Sequence, residues 1–118
     1  MSATPYTLII RDMGRPPGGN ELKSLHYRAY AKIRDEWQMR LMVEQVPQIP
    51  TPCGLTMTVY SSGKMDLDNV AACAKIPLDC LQRLGKLAED NSDHITRLTV
   101  LHEQSSRKTA GIRLEFQP

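Results

Sequence analysis

An α+β fold, with helices packed on one mixed sheet, is expected from three features of this chain. Apolar and polar residues alternate over residues 55–60 and 110–116, the period of a half-buried strand. Ala29, Ile33, Trp37 and Leu41 recur every four residues, the period of a helix with one apolar stripe. Proline- and glycine-rich breaks separate the periodic segments, and the order reads β-α-β-α-β-β.

The first element is the β-rich run YTLII at residues 6–10. Gly14-Arg15-Pro16-Pro17-Gly18-Gly19-Asn20 then interrupts all regular structure. A long helix is expected over residues 21–45, closed by Pro47 and Pro50. In the second strand Leu55, Met57 and Val59 take one face and Thr56, Thr58 and Tyr60 the other. If that register ran on, Asp66 and Asp68 would share the polar face, although Ser61-Ser62-Gly63 stands in the way. Residues 69–84 read as a second helix with Gly85 as its stop. Pro77 lacks a donor and clashes one turn back, so a kink is expected there, with Pro77 opening a fresh helix. Strands at residues 95–101 and 110–116 complete the order, with Ala110, Ile112, Leu114 and Phe116 facing the core and a turn at residues 105–108.

Length and composition narrow the function. A chain of 118 residues, 41% apolar and 24% charged, suits one globular domain spanning 1–118 with a modest core. A net charge of +2 is too small to identify a nucleic-acid binder by itself, so any such role rests on local clustering. Cys53, Cys73 and Cys80 form no C-x-x-C pair, and buried reduced thiols are expected rather than a disulfide framework or a zinc site. No apolar run reaches membrane-spanning length and Met1 to Pro5 lacks the pattern of a signal peptide, so a cytoplasmic protein is expected. His26, His94 and His102 share no metal-binding spacing, and the loop at residues 14–20 lacks the Gly-Lys-Ser/Thr of a phosphate-binding loop.

The chemistry concentrates in Asp66-Leu67-Asp68-Asn69, Lys75, Asp79 and Glu89-Asp90. Clustered carboxylates repel one another unless a cation lies between them, and oxygen donors select a hard ion such as Mg²⁺. On a single helix starting at Asp68, a turn of ~100° per residue would place Asp68, Lys75 and Asp79 in one narrow sector. Each piece also has a plainer use. Lys75 and Asp79 suit an i,i+4 surface ion pair, and Asp68 and Asn69 suit a helix cap. A basic set, Arg15, Lys23, Arg28, Lys32, Arg34, Arg40 and Lys64, could contact phosphates, although Asp35, Glu36 and Glu44 interleave with it.

Taken together, Asp66-Leu67-Asp68-Asn69, Lys75, Leu78-Asp79-x-Leu81, Gly85, Glu89-Asp90 and Ile95 resemble the RusA family of Holliday-junction resolvases found in phages and prophages. Upstream, Pro16-Pro17 with Asn20, then the segment from His26 to Lys32 and Trp37, is similar to that family's proline-asparagine loop and basic helix. The resemblance implies a homodimeric hydrolase of DNA recombination and repair, a Mg²⁺- or Mn²⁺-dependent endonuclease that nicks opposed strands of branched, four-way DNA. It implies Asp66, Asp68 and Asp90 as the metal-binding carboxylates and Lys75 as the catalytic lysine. Arg15, Arg28, Lys32 and Lys64 would then contact DNA, and Asn69, Asp79 and Glu89 would support the ligands. The sequence departs from the family pattern in a longer interval between Asp68 and Lys75, and in Glu89-Asp90 where the family has Asp-Asp. Two other readings stay open: a DNA-binding module of the same fold without cleavage, and a metal-dependent nuclease acting on flaps or RNA.

Overall fold

The computed structural model describes residues 5–89 and 91–118. Four strands form one mixed sheet in the order β1-β4-β2-β3. They are β1 (Tyr6–Ile10), β2 (Cys53–Ser61), β3 (Ile95–Gln104) and β4 (Gly111–Gln117). β4 runs antiparallel to both β1 and β2, whereas β2 and β3 run parallel. A parallel pair needs a crossover rather than a tight turn, and the helices α3 (Leu67–Ala72) and α4 (Lys75–Arg83) supply it. The remaining helices, α1 (Gly19–Ser24) and α2 (Tyr27–Val43), connect β1 to β2. The expected α+β architecture is therefore present, with two helices where one was expected between β1 and β2, and with the expected break between the helices that follow β2.

Register explains the core. Leu8, Leu114 and Met57 lie abreast on one face of the sheet, as do Ile10, Ile112 and Val59. All six are buried, beneath Trp37, Leu41, Val70, Ile76 and Leu81 of the helices. The other face is more open, and carries exposed Ile9 and Leu101. β2 nevertheless buries Thr58 and Tyr60 on that side, because it is flanked by strands on both edges and the Arg11 guanidinium lies 3.6 Å over the Tyr60 ring. Gly111 opens β4 where β1 passes so close that a Cβ would strike the Ile10 carbonyl. No helix among the described residues is long and apolar enough to cross a membrane.

Three expectations need correction. The long helix over residues 21–45 is interrupted at Leu25 and His26, and ends at Val43. His26 is extended (φ −67°, ψ 148°) and its Nδ1 accepts the Arg28 N–H, so its side chain starts α2 in place of a continuing helix. Within α2, Ala29 is exposed, and Tyr30 joins Ile33, Trp37 and Leu41 against the core. The second helix breaks at Cys73 and Ala74, ahead of Pro77. Pro77 is then the third residue of α4, where a missing N–H deprives the helix of nothing.

Gly85 stops α4 as expected. It adopts φ +73°, its N–H reaches the Gln82 carbonyl, and the Lys86 N–H reaches the Leu81 carbonyl at 2.9 Å. β3 extends to Gln104, three residues beyond the expected strand, because it pairs with β2 as far as Ser61.

Candidate acidic centre

β2 ends at Ser61, so strand register never reaches Asp66 and Asp68; a short irregular segment delivers them to the start of α3 instead. Asp66 is the residue that begins the helix (φ −68°, ψ 146°), and its carbonyl accepts the Val70 N–H at 3.0 Å. Its carboxylate makes no capping hydrogen bond. Asp68 lies in the first turn and is exposed, with Oδ1 accepting only the adjacent Asn69 N–H at 3.0 Å. Neither acid forms an ion pair among the described residues. Negative side chains at this end of a helix complement the exposed N–H groups.

Asn69 has a structural task. Its Oδ1 accepts the Asn20 N–H at 3.1 Å, latching α1 to α3. Gly18 and Gly19 allow this approach, since a Cβ on either would come within 3.1 Å of an Asn69 oxygen. The Cys73 Sγ–H points at the Pro16 carbonyl from the same side, at 3.4 Å. The loop at residues 14–20 is thereby held over α3. Beneath it opens a polar cavity of about 330 Å³ lined by Arg15, Asn20, Glu21, Lys64, Met65, Asp66 and Asn69.

Glu21 is a cavity residue that the sequence reading did not single out. Burial works against its ionisation, yet the Gly18 N–H and the Arg15 guanidinium together hold its carboxyl below the usual range. Arg15 Nη1 lies 2.6 Å from Glu21 Oε1, and the Gly18 N–H donates to the same oxygen at 3.1 Å. The three-residue spacing from Gly18 to Glu21 is half of a capping box, the one local signal that could have marked it.

The expected ladder of Asp68, Lys75 and Asp79 on one helix does not form, because the break at Cys73 and Ala74 puts Asp68 on α3 and Lys75 at the start of α4. Lys75 Nζ instead lies 3.5 Å from Asp79 Oδ2. The same oxygen accepts the Tyr30 hydroxyl at 2.6 Å. Burial, then the neighbouring Asp79 carboxylate, pushes Tyr30 up to about 12, so this hydroxyl keeps its proton and donates it. Tyr30 is the second contributor that the sequence did not reveal; it reaches Asp79 from a different helix.

Glu89 is exposed and accepts the Asn91 amide. Asp90 lies outside the described residues. Among the described residues no group of three or more His, Cys, Asp and Glu side chains comes together as a metal cluster.

The basic residues divide into engaged and available. Arg40 is held between Glu44 at 2.9 Å and Asp12 at 2.6 Å, which ties α2 to the loop after β1. Arg15 is bound to Glu21 yet still faces the cavity. Lys64 lines the same cavity and Lys32 is exposed on α2; neither has an ion-pair partner among the described residues. Arg28 sits beside the Tyr27 ring, 5.8 Å from its centroid, with its guanidinium on the surface. No family model matches the chain, and no curated protein matches it.

Proposed function

We propose that this chain is a divalent-metal-dependent endodeoxyribonuclease that cuts branched DNA, four-way junctions above all, as a homodimer. The observation that carries the reading is the start of α3. Asp66 and Asp68 stand there with carboxylates unspent on caps or ion pairs, and Asp66 borders a polar cavity that also holds Arg15 and Lys64. The resemblance to the RusA resolvases supports the same assignment and adds Asp90 as the third acid.

The chemistry of Asp66 and Asp68 fits Mg²⁺ or Mn²⁺, since exposed carboxylate oxygens are hard ligands. Asp66, Asp68 and Asp90 would hold the ion, which when bound acidifies water and offsets phosphate charge. The chain's own groups do the rest. Lys64 and Arg15 attract the phosphodiester into the cavity and orient it by charge. Lys75 adds a point positive charge, paired with the Asp79 carboxylate at 3.5 Å. Asn69 keeps the loop at residues 14–20 closed against α3, which fixes where Arg15 stands.

The test is incubation with four-way, three-way, flap, linear and RNA substrates in Mg²⁺, Mn²⁺ or EDTA. Nicking of the four-way junction that EDTA abolishes is the expected result. Asp68→Asn should lower that nicking at least about a hundredfold while binding junction DNA as tightly as the parent or more so, because a negative charge is removed. Equal nicking by mutant and parent would remove Asp68 from the mechanism. Junction binding without cleavage in any metal would instead identify a binding module.

A further inference from the structure

A second polar site lies along the seam between α2 and α4, and it shares no lining residue with the Asp66 cavity. Tyr30, Arg34 and Gln38 recur every four residues on α2, and Lys75, Asp79 and Arg83 do so on α4. The two rows are joined by rungs. Tyr30 donates to Asp79 at 2.6 Å, and Arg83 Nε donates to Gln38 Oε1 at 2.8 Å. Between the rungs opens a cavity of about 420 Å³ lined by Arg34, Asp79, Gln82 and Arg83.

The charges in this cleft do not cancel. Asp79 is answered by Lys75 and by the Tyr30 hydroxyl on one and the same oxygen. Arg83 spends its Nε on a neutral amide and has no ion pair among the described residues. Arg34 meets only the exposed Asp35, at 3.3 Å through one terminal nitrogen, and its buried Nε has no hydrogen-bond partner. Two guanidinium forks therefore face a polar opening with donors to spare, beside an amide from Gln82. Planar forks of this kind match the paired oxygens of a phosphate or a carboxylate.

We propose that the α2–α4 cleft seats a backbone phosphate of the nucleic acid, received by Arg34 and Arg83 with the Gln82 amide beside them. The choice of phosphate and its carrier rests on the nuclease reading; the preference for an oxyanion rests on the cleft itself. Lys75 and Arg83 stand at the two ends of one stripe on α4, ~12 Å apart at the usual helical rise, which matches roughly three to four nucleotides along one strand. The stripe thus tracks a strand from Lys75 at one end to Arg83 at the other.

The experiment pairs two measurements on the full chain. Titration with inorganic phosphate should shift the Arg34 and Arg83 side-chain N–H resonances in nitrogen-edited NMR spectra. Arg83→Gln, an exposed change that leaves packing intact, should weaken junction binding about tenfold at low salt and reduce the slope of log affinity against log salt by about 0.9. Arg34→Gln should do the same. Parental affinity and slope in both variants, in a chain that does bind DNA, would overturn the cleft and leave the nuclease reading standing. A parent chain that binds no DNA would overturn the nuclease reading, and with it the nucleic acid as carrier.

Discussion

Asp66 occupies a position where an aspartate ordinarily stabilises a helix by capping it, yet its side chain makes no such bond. Substituting it should therefore be nearly free of structural cost. Asp66→Ala is expected to change unfolding free energy by less than about 0.5 kcal/mol, against about 1 kcal/mol for an ordinary cap. In a calorimetric titration the same variant should take up Mn²⁺ at least tenfold more weakly. A large loss of stability with unchanged Mn²⁺ uptake would make Asp66 a cap and nothing more. The ion pair between Lys75 and Asp79 was legible in the sequence because its spacing is local, four residues along one helix. The link from Tyr30 to Asp79 was not, since it spans 49 residues and joins two helices. Arg40 misled in the opposite sense: its charge reads as available, but Asp12 and Glu44 consume it.

At the level of elements, strand periodicity was informative and helix continuity was not. Leu55, Met57 and Val59, like Ile112, Leu114 and Phe116, take the inward positions that their alternation implies. The break at His26 escaped notice because apolar recurrence runs through it and only a side chain competing for backbone donors ends the helix there, whereas Pro77 announced the second break and missed only its position, at Cys73 and Ala74. Strand order was equally hidden. β2 lies between β3 and β4, although β3 and β4 are consecutive in the chain. That order brings β1 against Gly111, where a side chain would meet backbone and not a flexible tip. Gly111→Ala should therefore destabilise the fold by about 2–4 kcal/mol in urea denaturation, mainly by forcing β1 away from β4. A change under about 0.5 kcal/mol would show that the two strands separate easily.

For the molecule as a whole, burial of ionisable groups sets an alkaline limit. Burial pushes both the Cys73 and Cys80 thiols up to about 11 from an ordinary value of 9.0, and Tyr30 rises to about 12 from 10.0. Each group holds its proton more firmly when folded than when unfolded. The favourable linkage is complete below the unfolded values and is lost as pH climbs toward the folded ones. Thermal unfolding temperature should accordingly hold steady up to about pH 9 and fall between about pH 9 and 12. Tyr30→Phe should remove the part of that decline above about pH 10. A flat profile from pH 8 to 12 would mean that these groups titrate as freely in the folded chain as in the unfolded one.

The latch between Asn69 and the loop at residues 14–20 carries a further consequence. Since the loop is tied to the helix that begins with Asp66 and Asp68, the receptor that the proposed reading requires would be assembled before any ligand arrives. Little ordering entropy then remains to be spent on encounter, and the strain of association falls on the flexible partner instead. On the proposed nuclease reading, DNA that already bends open, as a branch point does, would be admitted cheaply, whereas an unbroken duplex would first have to deform.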